Sequence, residues 1–229
     1  MSESPDRALS LQPMPLLSVE KALHRLRELV LRMGDEIDRA IARAIAGLVG
    51  RDVELCAAVI HDDARINSLL AEVRELSLGA LAVASEPAEI RAILSLLHMA
   101  NELERMGDHC ANIASIGREL ADLPPLTTYV DLPELAAACG EQMRQMLAAL
   151  IARDVERARA VALRDDRVNR IHHRIVDDLV QLMTDTGDLV YRGTKLVMAS
   201  QNFERIGDRV TNLAEDLIFL ETGLTEDLG

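Results

Sequence analysis

From Ser18 onward, apolar residues recur every three or four positions. Leu23, Leu26, Val30, Met33, Ile37, Ile41, Ile45 and Leu48 fall on one side of a helix that turns about 100° per residue. Strand-like alternation is absent from the sequence. Gly47 and Gly50 are expected to end this first helix, and Asp52 to cap a second one running to about Ala84. Ser85-Glu86-Pro87 marks a third start, with proline in the first turn, and that helix is expected to continue to about Leu120. The stretch from Asp122 to Pro133 is rich in proline and reads as a linker. Three more helices are expected, over 133–151, 154–186 and 188–221.

The chain repeats itself. Arg51-Asp-Val-Glu54 returns as Arg153-Asp-Val-Glu156, and Asp63-x-Arg-Ile-Asn67 as Asp165-x-Arg-Val-Asn169, both displaced by 102 positions. Glu104-Arg-Met-Gly-Asp108-x-x-x-Asn112 returns as Glu204-Arg-Ile-Gly-Asp208-x-x-x-Asn212, displaced by 100. The expected fold is therefore all-α, with two similar three-helix bundles related by a pseudo-twofold. Its parts are an extension over 1–17, expected to be flexible, a first repeat over 18–121, a linker over 122–132, a second repeat over 133–222 and a tail over 223–229.

Composition narrows the function. The 229 residues carry 25 Lys and Arg against 38 Asp and Glu, for a net charge of −13, which disfavours binding to a nucleic-acid backbone. Aromatic residues make up only 2%, so the core has to be built from Leu, Ile, Val, Ala and Met, as in helical bundles. Three widely spaced cysteines, Cys56, Cys110 and Cys139, form no zinc or redox motif and read as reduced thiols. The first residues lack a basic n-region and a long apolar core, and no apolar run approaches the ~18 residues of a membrane span, so a cytoplasmic protein is expected.

The duplicated acidic motif is the candidate site. On a helical wheel Glu104, Asp108 and Asn112 fall within about 80° of arc, and Leu97 and Ala111 lie close to Glu104, so the carboxylates share the apolar stripe. Glu204, Asp208 and Asn212 repeat the arrangement, with Glu215 near the same line. Carboxylates on an apolar face require a cation, a proton or a basic partner. Asp63 and Asn67, and likewise Asp165 and Asn169, are one turn apart on the preceding helices and could face the stripes. Oxygen ligands of this kind suit hard cations such as Mg²⁺, Mn²⁺, Ca²⁺ or ferric iron. Gly107 and Gly207, inside the motif, read either as room for a close neighbour or as an aid to packing. His109 and His172 read as ordinary polar residues.

The duplicated motif, the Asp-x-x-[Ile/Val]-Asn element before it and the two repeats resemble the PhoU family over about residues 19–221. That resemblance implies an all-helical regulator, not an enzyme, in which some members bind iron or zinc through the acidic motifs. It also implies a role between the ATPase subunit of a phosphate ABC transporter and a membrane sensor histidine kinase, repressing the starvation response when phosphate is plentiful. A homodimer is expected, with membrane association only through partners. Leu70 and His172 stand where the family commonly has Glu. Two other readings compete: a structural adaptor whose acidic stripes are salt-bridged, and a di-metal carboxylate protein. The latter wants Glu-x-x-His pairs, which none of the six histidines supplies.

Overall fold

The computed structural model describes residues 18–126 and 131–229; the extension over 1–17 and the middle of the linker lie outside the described residues. The helices are α1 (Val19–Gly50), α2 (Val53–Leu81), α3 (Pro87–Leu120), α4 (Asp131–Ala152), α5 (Val155–Ala162), α6 (Asp165–Asp185) and α7 (Val190–Thr222). A 3₁₀ turn over Gly187–Leu189 leads into α7, and no strand occurs among the described residues. Helices α1, α2 and α3 pack as one bundle and α4 to α7 as the other, while α3 lies along α7 and α1 meets α4 between them. The expected two-bundle all-α architecture is the observed one.

The fifth expected helix is divided into α5 and α6. At Leu163 and Arg164 the backbone stays right-handed, but ψ tightens to −15° and −12°, and Arg164 N–H bonds to Val161 O, an i to i−3 step. Leu163, 75% exposed, has no core contact to hold it in register. The linker is also shorter than expected. Asp131 opens α4, and Pro133 sits in its first turn, where a missing N–H costs nothing.

The Arg-Asp-Val-Glu repeat is a turn. Gly50 is the last residue of α1, as expected, but the left-handed turn that follows falls on Arg51 (φ 55°) and not on a glycine; Asp52 then caps α2 by accepting from Leu55 N–H at 2.9 Å. Arginine rather than glycine fits because its side chain is used. Arg51 Nε donates to Ala121 O at 2.9 Å and Nη2 to Leu123 O at 2.6 Å, closing the end of α3. Arg153 repeats the left-handed turn (φ 54°), and Asp154 caps α5 through Arg157 N–H. Its guanidinium, however, reaches only Glu221 among the described residues, at 3.8 Å, with the side chain 57% exposed. We therefore expect Arg153→Gly to stabilise the fold by up to about 1 kcal/mol, because glycine removes the left-handed strain. Arg51→Gly should destabilise it, since charge-assisted bonds are lost as well. Paired thermal melts distinguish the two; a loss of stability in Arg153→Gly would contradict this account.

One continuous core runs through both bundles and consists almost wholly of Leu, Ile, Val, Ala and Met. Phe203 is the aromatic exception among the largest fully buried side chains. Cys56, Cys110 and Cys139 are buried and free, and burial pushes their thiols up, so they stay protonated. No described helix is long and apolar enough to cross a membrane.

Candidate functional site

Each bundle brings an aspartate of one helix against the glycine of the acidic motif on the next. At Gly107 on α3, a Cβ would stand 2.7 Å from Asp63 Oδ1 of α2 and 3.0 Å from Ile66 Cδ1. At Gly207 on α7, a Cβ would stand 2.7 Å from Asp165 Oδ1 of α6 and 3.0 Å from Val168 Cγ1. Both glycines therefore serve the close approach of a carboxylate. Asn67 Nδ2 donates to Asp63 Oδ2 at 2.9 Å, and Asn169 Nδ2 to Asp165 Oδ2 at 2.7 Å, so each Asp/Asn pair is internally bonded. The other oxygen, Asp63 Oδ1 or Asp165 Oδ1, is buried with no hydrogen-bond partner. Beside Asp165 lies Gln142, 1% exposed, whose amide forms no hydrogen bond of normal geometry yet is close enough to offset part of the rise in the Asp165 carboxyl.

The charges around these oxygens reinforce the strain. Burial, then the charge of Asp108, pushes the Asp63 carboxyl up, and burial followed by Asp208 does the same to Asp165. Glu104 and Glu204 are raised by burial and then by Asp108 and Asp208 respectively, while Asp208 is raised by burial against four nearby cationic or imidazole groups. Of the nearby arginines, Arg43 pairs with Asp62, and Arg105 and Arg209 with Glu102, while the charges of Arg74 and Arg205 partly offset the rise of Glu104 and Glu204 without an ion pair to either. A pocket of about 20 Å³ adjoins Asp63 and is also lined by Glu36, Asp62 and Gly107, room enough for one water-sized occupant. Among the described residues, no three His, Cys, Asp or Glu side chains already converge in a metal-holding geometry.

The remaining sequence candidates lie elsewhere. Asn112 and Asn212 face the seam where α3 crosses α7, and their amides bond across it and not to the clustered carboxylates. Asn212 Nδ2 donates to Glu102 Oε2 at 2.8 Å, and Arg209 Nη1 reaches the same oxygen at 3.2 Å. One hundred positions away, Asn112 Nδ2 lies 3.5 Å and His109 Nδ1 3.0 Å from Asn202 Oδ1. The third residue of each motif thus joins the two halves through position 102 or 202. Glu215 accepts from Leu228 N–H at 2.9 Å, which ties down the tail. Leu70 belongs to the core, and His172 Nδ1 meets Ser200 Oγ at 2.8 Å.

Glu102, 1% exposed, Asn202 and the His98–Asp216 pair, 2.7 Å apart across the same seam, escaped the sequence reading. The signal available for the first two was positional: both sit two residues before the repeated motif, at the displacement of 100 that relates its two copies.

Comparison with known proteins agrees with the duplicated architecture. The PhoU domain family matches twice, over residues 30–117 and 132–217. A phosphate-specific transport system accessory protein PhoU homolog of Streptococcus pneumoniae is 26% identical over 208 residues, covering 90% of this chain and 96% of its own length. The homolog from Aquifex aeolicus is 29% identical over 204 residues, covering 89% and 92%. The crystal structure of PhoU from Pseudomonas aeruginosa superposes with a TM-score of 0.87 at 25% identity, covering 90% of this chain and all of that one. The phosphate transport system regulatory protein PhoU from Streptococcus pneumoniae, at 24% identity and a TM-score of 0.85, shares the fold. With the family match spanning both bundles and the acidic motif falling at the same place in each, this chain belongs to the PhoU family.

Proposed function

We propose that this chain is a non-enzymatic regulator of phosphate uptake and phosphate-starvation signalling on the cytoplasmic side of the membrane. In this reading it links the ATPase subunit of a phosphate ABC transporter to a sensor histidine kinase and holds the response off when phosphate is plentiful. The observation that carries it is the double PhoU match across nearly the whole helical region, shared with relatives named as transport-system accessory proteins. A regulator of this kind works by binding one conformation of its partner better than another, and a difference of about 1–3 kcal/mol is enough to shift a two-state partner. Deletion of the gene is expected to derepress starvation genes in phosphate-rich medium. Normal repression in a strain with no second copy would overturn the reading. Self-association as a homodimer belongs to the same proposal; a sedimentation mass close to the 25.2 kDa of one chain would exclude it.

The acidic clusters are proposed to hold cations, with Asp63, Glu104 and Asp108 contributing in one half and Asp165, Glu204 and Asp208 in the other. Support comes from the buried Asp63 Oδ1 and Asp165 Oδ1, equivalent in the two halves, to which no arginine or lysine is bonded among the described residues. This favours cations over the salt-bridged adaptor. The all-oxygen donor set suits Mg²⁺, Mn²⁺, Ca²⁺ or iron, and family resemblance adds zinc. A bound cation supplies positive charge to carboxylates that burial would otherwise drive toward protonation.

Elemental analysis of the purified protein tests this directly, and melting tests it energetically. A cation at about 100 times its Kd is expected to stabilise the fold by ~2.7 kcal/mol per site, and Asp63→Asn/Asp165→Asn should remove most of that gain. The pH dependence has a definite sign. These carboxyls hold protons more tightly folded than unfolded, so the chelated protein loses their share of stability as pH rises from the ordinary values of 3.8 and 4.5 through the raised ones. Bound cation should flatten that slope. An unchanged melting temperature in the presence of each cation would refute the assignment.

A further inference from the structure

The N-terminal turns of α1 and α3, the last turn of α7 and the turn at Arg153 enclose an open groove of about 620 Å³. Its charged lining is Lys21, Arg27, Arg91 and Arg153 against Glu20 and Glu221, so a chain of net charge −13 gathers four fixed cations in one place. Their compensation is incomplete. Glu221 is shared between Arg27 at 3.4 Å and Arg153 at 3.8 Å, both loose contacts. Arg91 forms no ion pair with any described residue; its guanidinium lies against Gly223, where a Cβ would stand 2.9 Å from Nη1. Arg27 Nε and Arg91 Nε are both buried and have no hydrogen-bond acceptor. Burial, then the neighbouring charge of Arg153, lowers the proton affinity of Arg27, as expected where positive charge is under-neutralised.

Guanidinium groups lining the groove from α1, α3 and the turn at Arg153, with little carboxylate to neutralise them, match a compact anion with several oxygens, because a planar fork donates two parallel bonds to such a group. We propose that this groove binds a small multivalent oxyanion, a phosphate or a phosphate ester, through Arg27, Arg91 and Arg153, with the exposed Lys21 adding charge. The groove shares no lining residue with the acidic clusters. It draws α1 and α3 from one half and α7 and Arg153 from the other, so an anion bound there clamps the two bundles together. The assignment rests on the groove alone and is independent of the regulatory reading.

Calorimetric titration of the full chain, stripped of metal by a chelator, tests it with inorganic phosphate and, separately, with ADP as a phosphate ester. Saturable binding of one anion per chain is expected. Arg91→Gln, which breaks no ion pair, should weaken it about tenfold or more. Arg27→Gln/Arg91→Gln should abolish it, while Asp63→Asn/Asp165→Asn leaves it unchanged, with circular dichroism confirming that each variant is helical. Tighter binding of inorganic phosphate identifies the free anion as the ligand, and tighter binding of ADP identifies the ester; either supports the site. Saturable binding of neither, or binding that survives unchanged in both arginine variants, overturns it.

Discussion

Replacing Phe203 with alanine is expected to lower the free energy of unfolding by about 3–5 kcal/mol, a large share of the ~5–15 kcal/mol that holds a typical domain together. The residue is fully buried in a core with almost no other aromatic side chains, so no neighbour of comparable size can close the space it leaves. Its backbone carbonyl accepts from Cys139 Sγ at 3.2 Å, which fixes α4 against α7 at the same level. The counterpart in the first half, one hundred positions earlier, is Leu103, also fully buried. Phe203→Leu therefore installs a residue that the same architecture already accommodates, and should cost less than about 1.5 kcal/mol. Urea unfolding gives the comparison: a lower midpoint at constant slope for Phe203→Ala, and a small shift for Phe203→Leu. A loss below about 1 kcal/mol in the alanine variant would mean that the surrounding helices close the cavity.

The parts of this molecule written in local pattern were legible in the sequence. Helical periodicity and the repeated Arg-Asp-Val-Glu and Glu-Arg-x-Gly-Asp elements give the two bundles, because each repeat marks a turn or a helix face that forms from neighbours in the chain. The juxtaposition of Asp63 and Asp165 with the acidic helices could be anticipated as well, since a second-helix pair one turn apart has only one bundle to face. Wheel geometry failed for the asparagines. Asn112 and Asn212 lie within the same arc as the carboxylates, yet α7 and α3 claim them for the crossing between halves, a long-range contact that a single helix cannot announce. The end of α1 at Gly50 follows from its spacing, whereas the left-handed turn at Arg51 does not, for a different reason. Glycine is the usual left-handed cap, and Arg51 takes that conformation because its side chain closes the distant end of α3, a benefit invisible at the turn itself.

The seam supplies the second large effect. Glu102 is 1% exposed and accepts from Arg105, Arg209 and Asn212, so Glu102→Ala removes the acceptor common to three donors. Loss of one partner of a buried pair costs ~3–5 kcal/mol, and because the side chains of Arg209 and Arg105 are 28% and 55% exposed and can recover water, about 2–3 kcal/mol is expected here. The pseudo-twofold offers a rescue. At the equivalent crossing, Asn202 does the work of Glu102 and His109 that of Arg209, with Asn112 in the place of Asn212. Glu102→Asn alone should leave the Arg209 charge without its carboxylate, whereas Glu102→Asn with Arg209→His rebuilds the arrangement already present one hundred positions away. The double variant is expected to regain on the order of 1 kcal/mol beyond the sum of the two single changes, read from a double-mutant cycle of urea midpoints. Strict additivity would show that the two crossings are alike in position only, and that Arg209 is held by contacts other than Glu102.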